Sequence, residues 1–167
     1  NDTSAARALA RAAKDEKDIT RMLARRGMRL SLGGGAYADI LFPDRDVSDV
    51  ETNTGYIVMR VVYGDSEFLL TGDSPISIEK YLVSLDASQL RSDVLKAGHH
   101  GSRTSSSEEY VKAVVPRYVV FSRGCDNSYG HPHEEVVTLM QKLNVSVSDT
   151  CHDGTISFTS DGRTISW

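Results

Sequence analysis

The chain of 167 residues is poor in several things that would narrow its chemistry at once. No apolar run approaches the roughly 18 residues of a bilayer-spanning helix, so nothing in it reads as a membrane span. Cysteine is scarce. Cys125 and Cys151 lie far apart without a C-x-x-C spacing, which excludes a zinc knuckle and leaves one disulfide or two buried thiols. Two cysteines assign no compartment. Only four prolines stand against thirteen glycines, which excludes a Pro-rich or collagen-like segment and favours many turns. Positive charge is also short. Nineteen Lys and Arg against twenty-three Asp and Glu leave a net charge of −4, which speaks against a globally basic nucleic-acid coat. It does not exclude an enzyme acting on nucleic acid, because a bound cation supplies positive charge locally. What is there, 40% hydrophobic and 25% charged residues, suits one folded domain over residues 1–167.

Periodicity and turn residues predict a mixed α/β chain. Residues 3–17 read as a helix capped by Thr3 or Ser4. Residues 19–24 and 28–32 read as a hairpin about Arg25-Arg26-Gly27, with the second arm alternating apolar and polar. Gly33-Gly34-Gly35 is a turn, and residues 36–42 form a strand closed by Pro43. An acidic loop over 44–52 leads to a β-branched strand over 54–63, a Gly64-Asp65 turn and a returning strand over 67–71. The order then changes. Helices over 76–85, 105–115 and 132–143 alternate with strands over 93–97, 118–122 and 145–148. The second helix is expected to be capped within Ser105-Ser106-Ser107-Glu108-Glu109, and the third to carry Pro132 in its first turn. A last hairpin turns at Asp161-Gly162. This order predicts a mixed sheet with helices on a face, without repeats or linkers.

Four of the five histidines fall in two short clusters, Gly98-His99-His100-Gly101-Ser102 after a strand and Gly130-His131-Pro132-His133 at a helix start. Asp73 follows a third strand in Leu69-Leu70-Thr71-Gly72-Asp73. Loops after the strands of α/β sheets are where ligands bind. Imidazole with carboxylate is a donor set for zinc or manganese, and the glycines beside His99-His100 permit close backbone approach. Alternation turns neighbouring residues to opposite faces, so one of His99 and His100 is expected to be the ligand and the other to support it. Each signal also has an ordinary reading. Gly-Asp is a common turn pair, and H-x-H is short enough to arise on a surface. His131 and His133 sit where a helix N-terminus favours anions, and are candidates to donate to a phosphate or leaving group. Ser102 invites a nucleophile reading, but no G-x-S-x-G elbow accompanies it. Ser105 to Ser107 suit helix capping or a substrate phosphate, and Arg103 offers that phosphate charge unless it is a solvated loop residue.

In order along the chain, "LLTGD", "DVLKAGHHGSRTSSSEEYVKAV", "DNSYGHPHEEVVTLM" and "DGTISFTSDG" resemble the metallo-β-lactamase-like domain of the ComEC competence proteins. Upstream, "RRGMRLSLGGGAYADILFP" and "NTGYIVMRVVYGDSEFLLTGD" resemble hairpins of the same family, so the likeness runs over nearly the whole chain. The resemblance implies an αββα sandwich with a metal site at one edge, two divalent ions (zinc or manganese) in the intact domain, and an extracytoplasmic location. It also implies phosphodiester hydrolysis, with DNA processed during uptake as the substrate. By the same likeness Asp73 would bridge the metals, and His99 or His100 would be a late histidine ligand. Asn53 would stand where many relatives carry a further histidine. His131 would be the catalytic proton donor. Ser102, Arg103, Ser105 and His133 would lie toward the substrate.

The departure is the family's H-x-H-x-D-H motif, which the chain lacks. The family would place it before Asn1, so the chain is expected to be the C-terminal part of the domain. Two ligands fall short of the three or four of a zinc site. An exposed sheet edge and an uncovered apolar face are then expected, with self-association or another chain as the partner. Two rivals stand beside this expectation. One is a degenerate domain that binds DNA or protein without cleaving it. The other is a serine hydrolase using Ser102, whose activity would survive chelation. Within the first class, lactone or thioester hydrolysis is a further reading, because one fold hosts many reactions.

Overall fold

Short glycine turns in the first half of the chain and helical crossovers in the second build one seven-stranded sheet whose strands follow sequence order. The computed structural model describes residues 3–167. After helix α1 (Ser4–Asp15), strands β1 (Arg29–Gly33), β2 (Ala36–Phe42), β3 (Val58–Tyr63) and β4 (Ser66–Leu70) form an antiparallel meander. Helices α2 (Ile76–Asp86), α3 (Glu108–Val114) and α4 (Glu134–Lys142) then alternate with β5 (Val94–Lys96), β6 (Tyr118–Phe121) and β7 (Ser146–Asp149). These three strands extend the sheet from β4 in parallel. A short α5 (Thr150–Asp153) follows, and β8 (Thr159–Ser160) pairs with β9 (Ile165–Ser166) as a separate hairpin. The mixed α/β class expected from the sequence is what the structure has. Among the described residues no helix is long and apolar enough to cross a membrane.

The register sorts the two faces. Leu69, Leu95 and Val119 share one row, flanked by Val58 and Phe42 on one side and Phe121 on the other. This face is the core. It packs against Leu82 of α2, Tyr110, Val111 and Val114 of α3, and Val136 and Met140 of α4, all buried. Each such side chain contributes about 1.5–3 kcal/mol on leaving water. The opposite face carries Phe68, Val94 and Tyr118 in one row and Leu70, Lys96 and Val120 in the next. The terminal hairpin covers part of it. Phe158 meets Phe68 at 6.2 Å and Tyr118 at 5.7 Å, and Trp167 meets Tyr118 at 6.2 Å. Leu70 on that face is 38% exposed.

Three local expectations change. Residues 19–24 are irregular rather than a strand, because the alternating 28–32 segment pairs with β2 instead. Gly27 N and Met28 O continue that pairing onto Ile40. Of the two cap candidates it is the Thr3 hydroxyl that caps helix α1, which buries no residue. Pro132 lies outside α4, which opens at Glu134, because His133 N–H is drawn to Gly101 O of another loop at 2.9 Å. The serines before α3 do not cap it with their side chains, since buried Glu79 of α2 accepts from Ser106 N and Ser107 N. The open question over the cysteines closes: Cys125 and Cys151 are disulfide-bonded.

Candidate functional site

Strands β4, β5, β6 and β7 run parallel, so their C-terminal ends share one edge and each delivers a loop to the same place. From β4 comes Gly72-Asp73. Gly72 has φ +55, and an added Cβ would fall 2.5 Å from the Tyr56 ring, so only glycine brings the chain past that ring. The Asp73 Oδ1 atom then faces His100 Nε2 at 3.5 Å and Lys96 Nζ at 3.9 Å. Lys96 also donates to Gly72 O at 3.1 Å. Burial pushes the Lys96 ammonium down from its ordinary value and Asp73 opposes that shift. Burial raises the Tyr56 phenol, and the neighbouring Asp73 carboxylate adds to the rise.

His99 and His100 come from the loop after β5. Both are left-handed (φ 47 and 58), a conformation that costs non-glycine residues about 1–3 kcal/mol and persists only where the surroundings enforce it. His99 N donates to Gly72 O at 3.1 Å, and Ser102 N donates to His99 O at 2.9 Å. The His100 Nδ1 atom lies 2.5 Å from Ser122 O at the end of β6. A carbonyl only accepts, so a proton belongs on Nδ1, and Nε2 is the ring atom that faces Asp73. His99 is not tied in this way; its Nδ1 lies 3.5 Å from the Thr104 hydroxyl. The two histidines thus differ through their partners, not through strand alternation.

The loop after β6 supplies His131 and His133. The Asn127 side chain grips this loop, donating to Gly124 O and His131 O and accepting from His131 N, each at 2.9 Å. His131 is buried, with its ring 5.4 Å from His99, 6.5 Å from His100 and 5.0 Å from His133. Burial chiefly, and then the neighbouring histidines, lower its pKa against the pull of Asp73, which favours the neutral ring. His133 Nδ1 accepts from Arg103 N at 3.2 Å and so joins the two histidine loops.

The other expected residues are placed as follows. Ser102 is buried, with its hydroxyl 3.0 Å from that of Thr104, and among the described residues no histidine is hydrogen-bonded to that hydroxyl. Ser105 donates to Ser74 O at 2.7 Å. Arg103 stands at the rim, 3.7 Å from Glu135, an exposed pair of little energetic weight. Asn53 lies in the 3-10 turn before β3, and among the described residues no hydrogen bond joins it to the histidines. An open cleft of about 360 Å³ adjoins the cluster, lined by His100, His131, Asn127, Tyr129, Arg123 and Thr150. Four of these six, and Lys96 beside Asp73, were not singled out from the sequence. They stand alone in irregular segments or at a strand end, where no periodicity marks them.

The donor set can be compared with what a metal needs. Among the described residues, the one trio of ligand atoms within 4.8 Å of one another is Asp149, Cys151 and His152. It makes a poor seat, because the Cys151 sulfur is bonded to Cys125 and Asp149 is paired with Arg123 at 2.7 Å. At the histidine cluster a carboxylate and one oriented imidazole converge, a chemically suitable pair short of a full coordination set.

No family model matches the chain. It is similar to parts of longer proteins. It is 34% identical over 106 residues to the protein named ComE operon protein 3 of Bacillus subtilis (strain 168), a match of 64% of this chain and 14% of that protein. It is 38% identical over 110 residues to Competence protein ComA of Neisseria gonorrhoeae, covering 66% and 16%. Recombination protein 2 of Haemophilus influenzae is 31% identical over 122 residues, covering 73% and 15%. The matched region therefore spans 14–16% of the length of these relatives. The similarity to ComE operon protein 3 and Competence protein ComA supports a competence-protein family.

Proposed function

We propose that this chain carries part of a metal-dependent phosphodiester-hydrolysing centre, in a ComEC-like metallo-β-lactamase domain that acts on DNA during uptake. The observation that carries the proposal is the pairing of Asp73 with His100 Nε2 at 3.5 Å, with His100 Nδ1 anchored on Ser122 O. A carboxylate beside an imidazole oriented from its far nitrogen is how proteins prepare a divalent-metal ligand pair. The fold agrees with the reading. Helices cover one sheet face, and the other is apolar and partly bare, as one half of an αββα sandwich would be. The names of two relatives, Competence protein ComA and Recombination protein 2, supply the link to DNA.

Asp73 and His100 would hold a zinc or manganese ion, with His99 and His131 beside them. When bound, such an ion polarises a phosphate and lowers the pKa of water. The chain's own residues do the rest. Lys96 keeps positive charge next to Asp73 and limits repulsion of a phosphate. His131, its backbone held by Asn127, would stand beside the leaving oxygen as the candidate proton donor. His133, Arg103, Ser102 and Ser105 shape the adjoining loop and, with Asn53 of the turn before β3, would lie toward the substrate. A second reading, a non-catalytic domain that binds DNA or protein, is favoured by the shortage of converging donors.

Metal content and hydrolysis decide between them. The full-length protein, purified with manganese or zinc, is expected to hold metal and to cleave DNA, and Asp73→Ala is expected to lose both. Full turnover in Asp73→Ala would overturn the assignment. DNA binding that is independent of metal, without cleavage, would establish the second reading.

A further inference from the structure

The side of the cleft away from Asp73 is built from ring faces. Tyr129 lies over His131 at 5.7 Å with 21° between the planes, and His131 lies 6.5 Å from His100 with 23° between them. The three rings form a nearly parallel series, and Tyr129 is its outer end. Tyr129 is 76% exposed, more than any other large hydrophobic side chain among the described residues.

That exposure is not the looseness of a free loop. The Cys125–Cys151 bridge ties the segment to α5 four residues before Tyr129, and Asn127 closes it onto Gly124 and His131. A large ring held in water at a fixed position contributes little to folding and presents a ready surface. Three of the polar side chains around it, Arg123, Asn127 and Thr150, are already engaged. Arg123 bonds Asp149 at 2.7 and 2.9 Å, the Thr150 hydroxyl donates to Arg123 O at 2.9 Å, and the Asn127 amide serves its own loop. What the outer cleft offers is therefore a π face with few free hydrogen-bonding groups.

We infer that Tyr129 is a stacking platform for an unpaired nucleobase, so that the site takes single-stranded or frayed DNA. The inference deepens the proposed function and rests on it for the choice of ligand. A base within a duplex is stacked on both faces and has none to offer, whereas an unpaired base continues the ring series outward from Tyr129. With its base there, the attached backbone lies beside His131 and His100. Stacking is tolerant of sequence, because every base has a π face.

The test is the anisotropy of a short labelled oligonucleotide titrated with the full-length protein, with metal chelated so that nothing is cleaved. Single strand is expected to bind more tightly than a blunt duplex of the same sequence. Tyr129→Ala is expected to weaken single-strand binding about 5- to 150-fold. Tyr129→Phe should stay within about twofold of the native protein, because the ring and not the hydroxyl makes the contact. An abasic strand should bind native protein and Tyr129→Ala alike. Equal binding of single strand by native protein and Tyr129→Ala, or a Tyr129→Phe as weak as Tyr129→Ala, would overturn the inference. Because the assay needs no hydrolysis, its outcome is separate from that of Asp73→Ala. Cleavage without Tyr129-dependent binding refutes stacking alone, and Tyr129-dependent binding without cleavage refutes only the catalytic reading.

Discussion

Glu79 offers the sharpest test of how the histidine loop is held. It is 1% exposed, and its two oxygens accept from Ser106 N at 2.5 Å and Ser107 N at 2.8 Å. These donors lie in the serine turn that leads into α3, whose N-cap Ser107 makes no side-chain cap bond. Oε1 also lies 3.5 Å from where a Cβ on Gly98 would stand, so the carboxylate supports the loop that carries His99 and His100. Each hydrogen bond to a charged group contributes about 1.5–3 kcal/mol, and relief of carboxylate burial offsets part of the loss. The balance for Glu79→Ala is about 2–4 kcal/mol, a large share of the 5–15 kcal/mol or so of a typical domain. Glu79→Gln keeps the volume and one acceptor, and should cost about 1–2 kcal/mol. Urea unfolding followed by circular dichroism should therefore rank native above Gln above Ala. The pH dependence has a definite sign. Burial raises the carboxyl pKa and the two backbone donors pull it back, with burial prevailing. The contribution linked to this carboxyl is thus fully present below the ordinary carboxylate range and is lost as pH rises through the raised folded value. The advantage of native protein over Glu79→Gln should narrow on going from acid to neutral pH. A Gln variant within about 0.5 kcal/mol of native at every pH would refute the supporting role. A gap that widens with pH would refute the dominance of burial.

Two further expectations follow from the same loops. The disulfide closes a span of 26 residues, worth about 3–4 kcal/mol in loop-closure terms, so Cys125→Ser should lower the urea midpoint. Dithiothreitol should lower it in the native protein only, and a midpoint indifferent to reductant would contradict this. Gly101 has φ +87, and an added Cβ would fall 2.6 Å from Pro132 and 2.8 Å from Phe121. Gly101→Ala should destabilise by about 1–3 kcal/mol and move the His131 and His133 NMR signals. Unperturbed histidine signals would show that the packing of these two loops is not what places the rings.

The sequence by itself determined what depends on a few neighbouring residues. The triglycine turn and Pro43 bounded β2 at residues 36–42, Gly64-Asp65 marked the β3–β4 turn, and Thr3 was one of two neighbouring hydroxyls that could cap the first helix. The loops that carry Asp73, the paired histidines and His131 were likewise visible, because glycine punctuation after an apolar strand is a local signal. Tertiary structure decided what depends on partners remote in the chain. It chose β2 over residues 19–24 as the mate of β1, and replaced a serine cap of α3 by a carboxylate 27 and 28 residues away. It separated His100 from His99 through the carbonyl of Ser122, set Lys96 beside Asp73, and brought Tyr129 and Asn127 to the cleft. The physical reason is the same in each case. Turns and periodicity are set by the backbone within a few residues. The tautomer of a histidine, the burial of a carboxylate and the meeting of four loops are set by the order of parallel strands, which bring distant strand ends to one edge of the sheet.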